Sequence, residues 1–236
     1  MIAVLATVFM ASSFLVASTA PGDDPGRIDV TITPYYDSSG PIIRIGQYSG
    51  GLTSKDEATF VSTILQMKRQ WSTLNFVELY VGAIRLYDLG YRREATYWFY
   101  SAQYRGRQFA LLVDQKKMGG IGDRAFELYH AQDAFFQLVG PNINGYAFGD
   151  VDFVSKIARR VQTENKTVPK LQTIYPGVAF ISPGLWQQQN AEVNAGLGTL
   201  ALSVTRQKAE IQRQRAKNGT QARFSQVTTR QFPGGL

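Results

Sequence analysis

The chain of 236 residues carries 25 Lys and Arg against 18 Asp and Glu, a formal net charge of +7, with a single histidine and no cysteine. The lack of cysteine excludes disulfide frameworks, thiolate nucleophiles, cysteine-ligated zinc and cysteine-held iron–sulfur clusters, and the lone imidazole, His130, excludes sites built from two or three histidines. Apolar residues make up 44% of the chain and aromatic residues 12%, the composition of a folded protein with one large domain or two small ones.

Residues 1–20, MIAVLATVFMASSFLVASTA, hold no charged side chain and end in small residues ahead of Pro21-Gly22-Asp23-Asp24-Pro25. A short apolar run with this ending reads as a secretory signal peptide cut after Ser18 or Ala20, so the mature chain is expected in the periplasm or outside the cell. Ile28, Val30 and Ile32 then alternate with Asp29, Thr31 and Thr33 in the period of a half-buried strand, and Pro34 stops the run. Turn chemistry follows at Tyr36-Asp37-Ser38-Ser39-Gly40, and Ile42, Ile43 and Ile45 supply a returning strand. Residues 21–52 are therefore expected to form an extended arm or β-hairpin.

From residue 53 the period is helical. Ser54 and Glu57 have the spacing of a capping box ahead of Phe60, Val61, Ile64, Leu65 and Trp71, and a second box, Asn75 with Glu78, opens a helix that Gly90 closes. Further helices are predicted over 92–105, 109–117, 123–139 and 152–164 and from Ser182 onward, with Asp123, Asp152 and Ser182 as N-caps and Pro183 at the first helical position. Gly140-Pro141-Asn142 is expected to break the chain, leaving 140–150 as a recognition loop that displays Tyr146 and Phe148. The fold class read from this pattern is mostly α, with a helical domain over 53–205 and a short N-terminal β arm.

Few residues suggest chemistry. Glu127-Leu128-Tyr129-His130 has the Glu-x-x-His spacing of di-iron helical bundles, but such a site needs a second copy with its own histidine. No Gly-x-Ser-x-Gly elbow serves the single imidazole. Asp123 and Glu127, four residues apart, are the carboxylates that an exported hydrolase of cell-wall glycans or lipids would use. Gly119-Gly120-Ile121-Gly122 follows a predicted helix rather than a strand and reads as an interhelical turn, not an anion cradle. No catalytic residue, metal or cofactor is assigned.

Residues 76–107 carry a likeness to a repeat family. With Phe76 as the first position of a helix–turn–helix unit of about 34 residues, Leu79, Gly82, Ala83 and Leu86 fall on the first helix, Gly90 at the turn, and Ala95, Phe99 and Ala102 on the second. This segment, above all Leu89-Gly90-Tyr91-Arg92-Arg93-Glu94-Ala95 with Trp98-Phe99, resembles a tetratricopeptide or Sel-type repeat, although Arg107 stands where the family has its terminal proline and one unit is present. The resemblance implies antiparallel helical hairpins and a protein-binding scaffold, similar to the periplasmic immunity proteins that neutralise toxic effectors of rival bacteria.

Two further features point to a protein partner. At about 100° per residue, Arg93, Tyr97, Tyr100, Tyr104 and Arg107 fall opposite the Ala95/Phe99/Ala102 face, and an outward Tyr/Arg stripe has the composition of an interface hot spot. In residues 206–236, seven Lys and Arg against one Glu give +6, which leaves the rest of the chain at +1. The first part of this tail, with Arg213 and Arg215, extends the last helix to Gly219, and 221–236 is expected to be poorly ordered. Export and the lack of interleaved aromatics disfavour nucleic acid, and the weak apolar face beside the charges disfavours a membrane surface, which leaves an acidic protein partner. The expectation is an exported, non-catalytic binding protein of the immunity type that covers an effector enzyme; an envelope scaffold or a carboxylate hydrolase are the alternatives.

Overall fold

The computed structural model describes residues 24–40 and 42–235; the signal-peptide reading of residues 1–20 falls outside them. Three two-residue strands come first, β1 (Thr31–Ile32), β2 (Tyr36–Asp37) and β3 (Ile42–Ile43), paired antiparallel in that order with Thr31 opposite Asp37 and Tyr36 opposite Ile43. The period of two in the sequence is the period of burial: Ile28 and Ile32 are buried, and Asp29, Thr31 and Thr33 are exposed. Ten α-helices follow among the described residues, so the fold is mostly α. They are α1 (Ser49–Thr53), α2 (Glu57–Arg69), α3 (Phe76–Asp88), α4 (Arg92–Leu112), α5 (Arg124–Ala147), α6 (Val151–Glu164), α7 (Leu171–Ile174), α8 (Trp186–Arg206), α9 (Lys208–Lys217) and α10 (Thr220–Phe224). No helix among the described residues is long and apolar enough to cross a membrane.

Local chemistry accounts for the α3–α4 hairpin. The Asn75 side chain accepts from the Glu78 N–H at 2.9 Å while the Glu78 carboxylate accepts from the Asn75 N–H at 2.7 Å, a complete capping box. At the other end Gly90 adopts a φ of +87°, and the Tyr91 and Gly90 N–H groups donate to the Leu86 and Tyr87 carbonyls at 2.8 and 3.0 Å. This is a Schellman ending, which needs a residue without Cβ at that position. Elsewhere the caps shift from the predicted residues. Asp56, not Ser54, caps α2 by accepting from Thr59 N–H at 2.8 Å, and Asp150, not Asp152, caps α6 by accepting from Phe153 N–H at 3.0 Å. Asp123 caps α5 as expected, whereas Ser182 precedes a 3₁₀ turn and makes no side-chain cap bond.

Two predicted breaks are absent. The helices expected over 92–105 and 109–117 are the single helix α4, because Arg105, Phe109 and Leu112 all remain within the core. Nor does Gly140-Pro141-Asn142 interrupt α5. Proline in a helix interior costs roughly 3 kcal/mol through one lost hydrogen bond and a ring clash. Here the turns around it bury Val139, Ile143 and Ala147, and Asn142 Nδ2 donates to the Arg27 carbonyl at 2.5 Å, contacts that offset that cost.

Helix α4 runs through the middle, with α3 on one side and α5, α6 and α8 around the rest. The close approach of α3 depends on Gly82: a Cβ there would lie 2.6 Å from the Trp98 ring, and Trp98 is fully buried. Gly82→Ala is expected to lower the unfolding free energy by about 2 kcal/mol, since the indole must move in a filled core. Urea denaturation checks this, and an unchanged midpoint contradicts it.

The C-terminal segment is the main departure from the sequence expectation. Residues 225–235 are not a loose tail; they run back across the α3–α4 turn as a strap. The Arg230 N–H donates to the Gly90 carbonyl at 2.8 Å, Arg230 Nη2 meets Glu57 Oε1 at 2.5 Å, and the Thr228 carbonyl accepts from Arg92 Nη1. Phe232 is buried, with its ring set edge-on to Tyr91 at 5.1 Å. Lys68 Nζ donates to the Gly234 carbonyl and pairs with the buried Glu94, both at 3.0 Å. Phe232→Ala should cost about 2 kcal/mol, less than a central Phe→Ala because the strap can undock alone, and should speed proteolysis within 225–235. Limited proteolysis followed by mass spectrometry reads the second effect directly.

Candidate functional site

The structure distributes the three tyrosines of the α4 Tyr/Arg stripe among three neighbours instead of presenting them to solvent, and of the stripe only Arg93 is exposed. Tyr97, Tyr100 and Tyr104 are 4%, 3% and 1% exposed. Their hydroxyls donate to Glu164 of α6 at 2.6 Å, to Asn144 Oδ1 of α5 at 3.1 Å and to Asn190 Oδ1 of α8 at 2.6 Å. Arg107 is half-buried with its guanidinium 5.9 Å from the Phe136 ring of α5. An outward hot-spot patch on α4 is therefore ruled out. The amphipathic tyrosine, whose apolar ring and polar tip suit an interface, here serves the interfaces between helices of one chain.

The stripe's first member, Arg93, takes part in a different site. At the junction of α5 and α6 a cleft of about 670 Å³ is lined by Arg93, Tyr146, Phe148, Asp150, Phe153, Gln212, Arg215 and Phe224, among others. Four residues singled out in the sequence, Arg93, Tyr146, Phe148 and Arg215, thus meet here although they come from α4, the α5–α6 junction and α9. The expected recognition loop over 140–150 is mostly helix, but its final residues do form a wall of this cleft. Arg213 lies outside it, exposed on α9 and paired with Glu210.

The geometry of the cleft follows from local packing. The Tyr146 and Ala147 carbonyls accept from the Gly149 and Asp150 N–H groups, each at 3.0 Å, which closes a tight turn between α5 and α6. Asp150 then caps α6 and pairs with Arg93 Nη1 at 3.2 Å, while the Arg93 guanidinium lies 3.9 Å from the centre of the Phe153 ring. Arg215 Nη1 donates to the Gly145 carbonyl at 2.7 Å, and burial holds this guanidinium below its ordinary pKa range, though a guanidinium stays charged. Phe224 closes the far wall. It rests on Gly145, where a Cβ would lie 2.4 Å from the ring.

Asp150, Phe153, Gln212 and Phe224 join the cleft without a signal of their own in the residue pattern above. Asp150 stands two positions before Asp152 with the chemistry of a helix cap, and Phe224 lies in a stretch whose composition reads as disordered. Of the other residues weighed for chemistry, Asp123 is occupied as the α5 cap and His130 is exposed with the Phe126 ring at 4.4 Å. Among the described residues no group of three or more His, Asp or Glu is placed to hold a metal ion. Comparison with protein-family models, with curated proteins and with solved structures finds no match for this chain.

Proposed function

We propose that this chain is an exported, non-catalytic protein-binding protein of the immunity type, which covers an acidic surface of an effector enzyme and blocks it by contact. The observation that carries the reading is the α5–α6 cleft, where two arginines and four aromatic side chains from separate helices line one concave surface. Arginine and aromatic residues dominate the energetics of protein interfaces when they sit in well-packed pockets. Beside the cleft, α9 exposes Arg213 and Lys217, and positive charge at the rim of a contact speeds encounter with an acidic partner. The α3–α4 hairpin, joined at Gly90 with Gly82 against Trp98, supports a scaffold built like a helical repeat. Export rests on the uncharged apolar opening, residues 1–20.

The test is co-expression with a toxic effector enzyme whose gene is found to neighbour that of this chain. Rescue of cells from that enzyme, together with a purified complex whose association rate falls about tenfold in Arg213→Glu/Lys217→Glu at low salt, is the expected result. A chain that neither rescues nor associates refutes the reading.

A further inference from the structure

The cleft's charge arrangement defines a narrower contact than basic charge alone, and the inference drawn from it rests on the protein-binding reading above. Arg93 already has its carboxylate in Asp150, 3.2 Å away. Arg215 forms no ion pair among the described residues; its bond to the Gly145 carbonyl uses one of five N–H donors. This guanidinium is half-buried in a cleft that also holds Phe148, Phe153 and Phe224. A guanidinium partly withdrawn from water presents a planar fork that matches a carboxylate, and the cleft volume of about 670 Å³ is that of a site for a side chain or a small ligand.

We infer that the cleft binds a carboxylate carried next to a large apolar side chain on a segment of the protein partner, an Asp or Glu beside a Phe, Leu or similar residue. Arg215 takes the carboxylate, and the half-buried Tyr146 in the same cleft takes the apolar neighbour, Phe148, Phe153 and Phe224 being themselves buried. Asp150 has a second role here. As the one carboxylate lining the cleft, it neutralises Arg93 and repels the incoming acid, so it sets the affinity from the opposite side.

The experiment titrates the full chain with Ac-Phe-Glu-NH2 and with the near-isosteric Ac-Phe-Gln-NH2 at low ionic strength, followed by amide NMR shifts. The glutamate peptide should bind about tenfold tighter than the glutamine peptide, with the shifts centred on Gly149 and Arg215, and Arg215→Gln should bring the two to parity. Asp150→Asn preserves the α6 cap, since an asparagine oxygen still accepts from Phe153 N–H, and should raise glutamate-peptide affinity about threefold. Its opposite sign keeps the inference testable if Arg215→Gln fails to fold. Equal binding of the two peptides, a glutamate preference that survives Arg215→Gln, or no gain in Asp150→Asn overturns the inference. A chain that binds its protein partner but shows no carboxylate preference overturns this inference alone, whereas a carboxylate preference with no protein partner supports it and refutes the immunity reading.

Discussion

Replacing Asn190 with alanine is expected to lower the unfolding free energy by about 3 kcal/mol, although it removes only a short side chain. Asn190 is 1% exposed. Its Oδ1 accepts from Tyr104 Oη and Gln108 Nε2, both at 2.6 Å, and its Nδ2 donates to the Asn165 and Lys166 carbonyls at 3.1 and 3.3 Å. One amide thus joins α4, α8 and the chain leaving α6. Without it Tyr104 can fall back on the Asn165 carbonyl 3.0 Å away and the Lys166 carbonyl keeps Gln187 Nε2 at 2.7 Å, but the buried Gln108 amide loses its Asn190 acceptor. Such an orphan costs about 1–3 kcal/mol, to which the lost bonds to the Asn165 and Lys166 carbonyls add. Asn190→Asp separates this account from simple loss of volume. It keeps both accepted bonds but sets a carboxylate oxygen against two carbonyls, so it should be destabilised at neutral pH and partly restored in acid, where a protonated carboxyl can donate. Urea denaturation of both variants at two pH values reads this, and a loss below about 1 kcal/mol in the alanine variant contradicts it.

A second large effect is expected at Asp88, which fastens the β arm to the helical body by accepting from the Ile28 N–H at 2.9 Å. Burial pushes its carboxyl up from 3.8 to about 7, opposed in part by the Ile28 hydrogen bond and by Arg85, 3.7 Å away. The unfolded carboxyl ionises near 3.8 and the folded one near 7, so between these values the folded state holds the extra proton. The stabilisation is therefore complete below about pH 4 and is lost as pH rises through 7. Asp88→Asn retains an acceptor for Ile28 and removes the titration. The stability of the variant relative to the unmodified chain should climb across this window with a slope approaching about 1.4 kcal/mol per pH unit, leaving the variant the more stable at pH 8. Parallel stability curves for the two proteins would contradict the assignment.

What could be read from the residues is what local chemistry decides. Asn75 with Glu78, Gly90, Asp123 and the alternation from Ile28 to Thr33 each specify their structure within a few neighbours, and each is found where expected. The departures share a different cause: contacts between residues far apart in sequence outweigh the local signal. Pro141 stays helical because Val139, Ile143 and Ala147 are packed and Asn142 reaches Arg27. The tyrosines of α4 turn inward because α5, α6 and α8 surround that helix, and no period within α4 reveals how many neighbours it has. The strap is fixed by Gly90, Glu57 and Lys68, more than 130 residues earlier, through segments whose composition reads as polar and loose. Its basic charge is accordingly not a detachable arm. Lys208 pairs with Asp152 and Arg230 with Glu57, while Ile211 and Phe232 belong to the buried interior, so removing residues 206–236 would open the core. Of the candidate site, Arg93, Tyr146, Phe148 and Arg215 were visible as residue types; their meeting in one cleft required the tertiary structure.

If the cleft at the α5–α6 junction, together with α9, meets a protein partner as proposed, hydrogen exchange of the full chain, alone and saturated with an effector enzyme that it neutralises, will show it. Exchange should slow over 145–153 and 208–225 with the 113–123 turn unchanged. Slowed exchange elsewhere, with those two segments unaffected, would contradict the proposal.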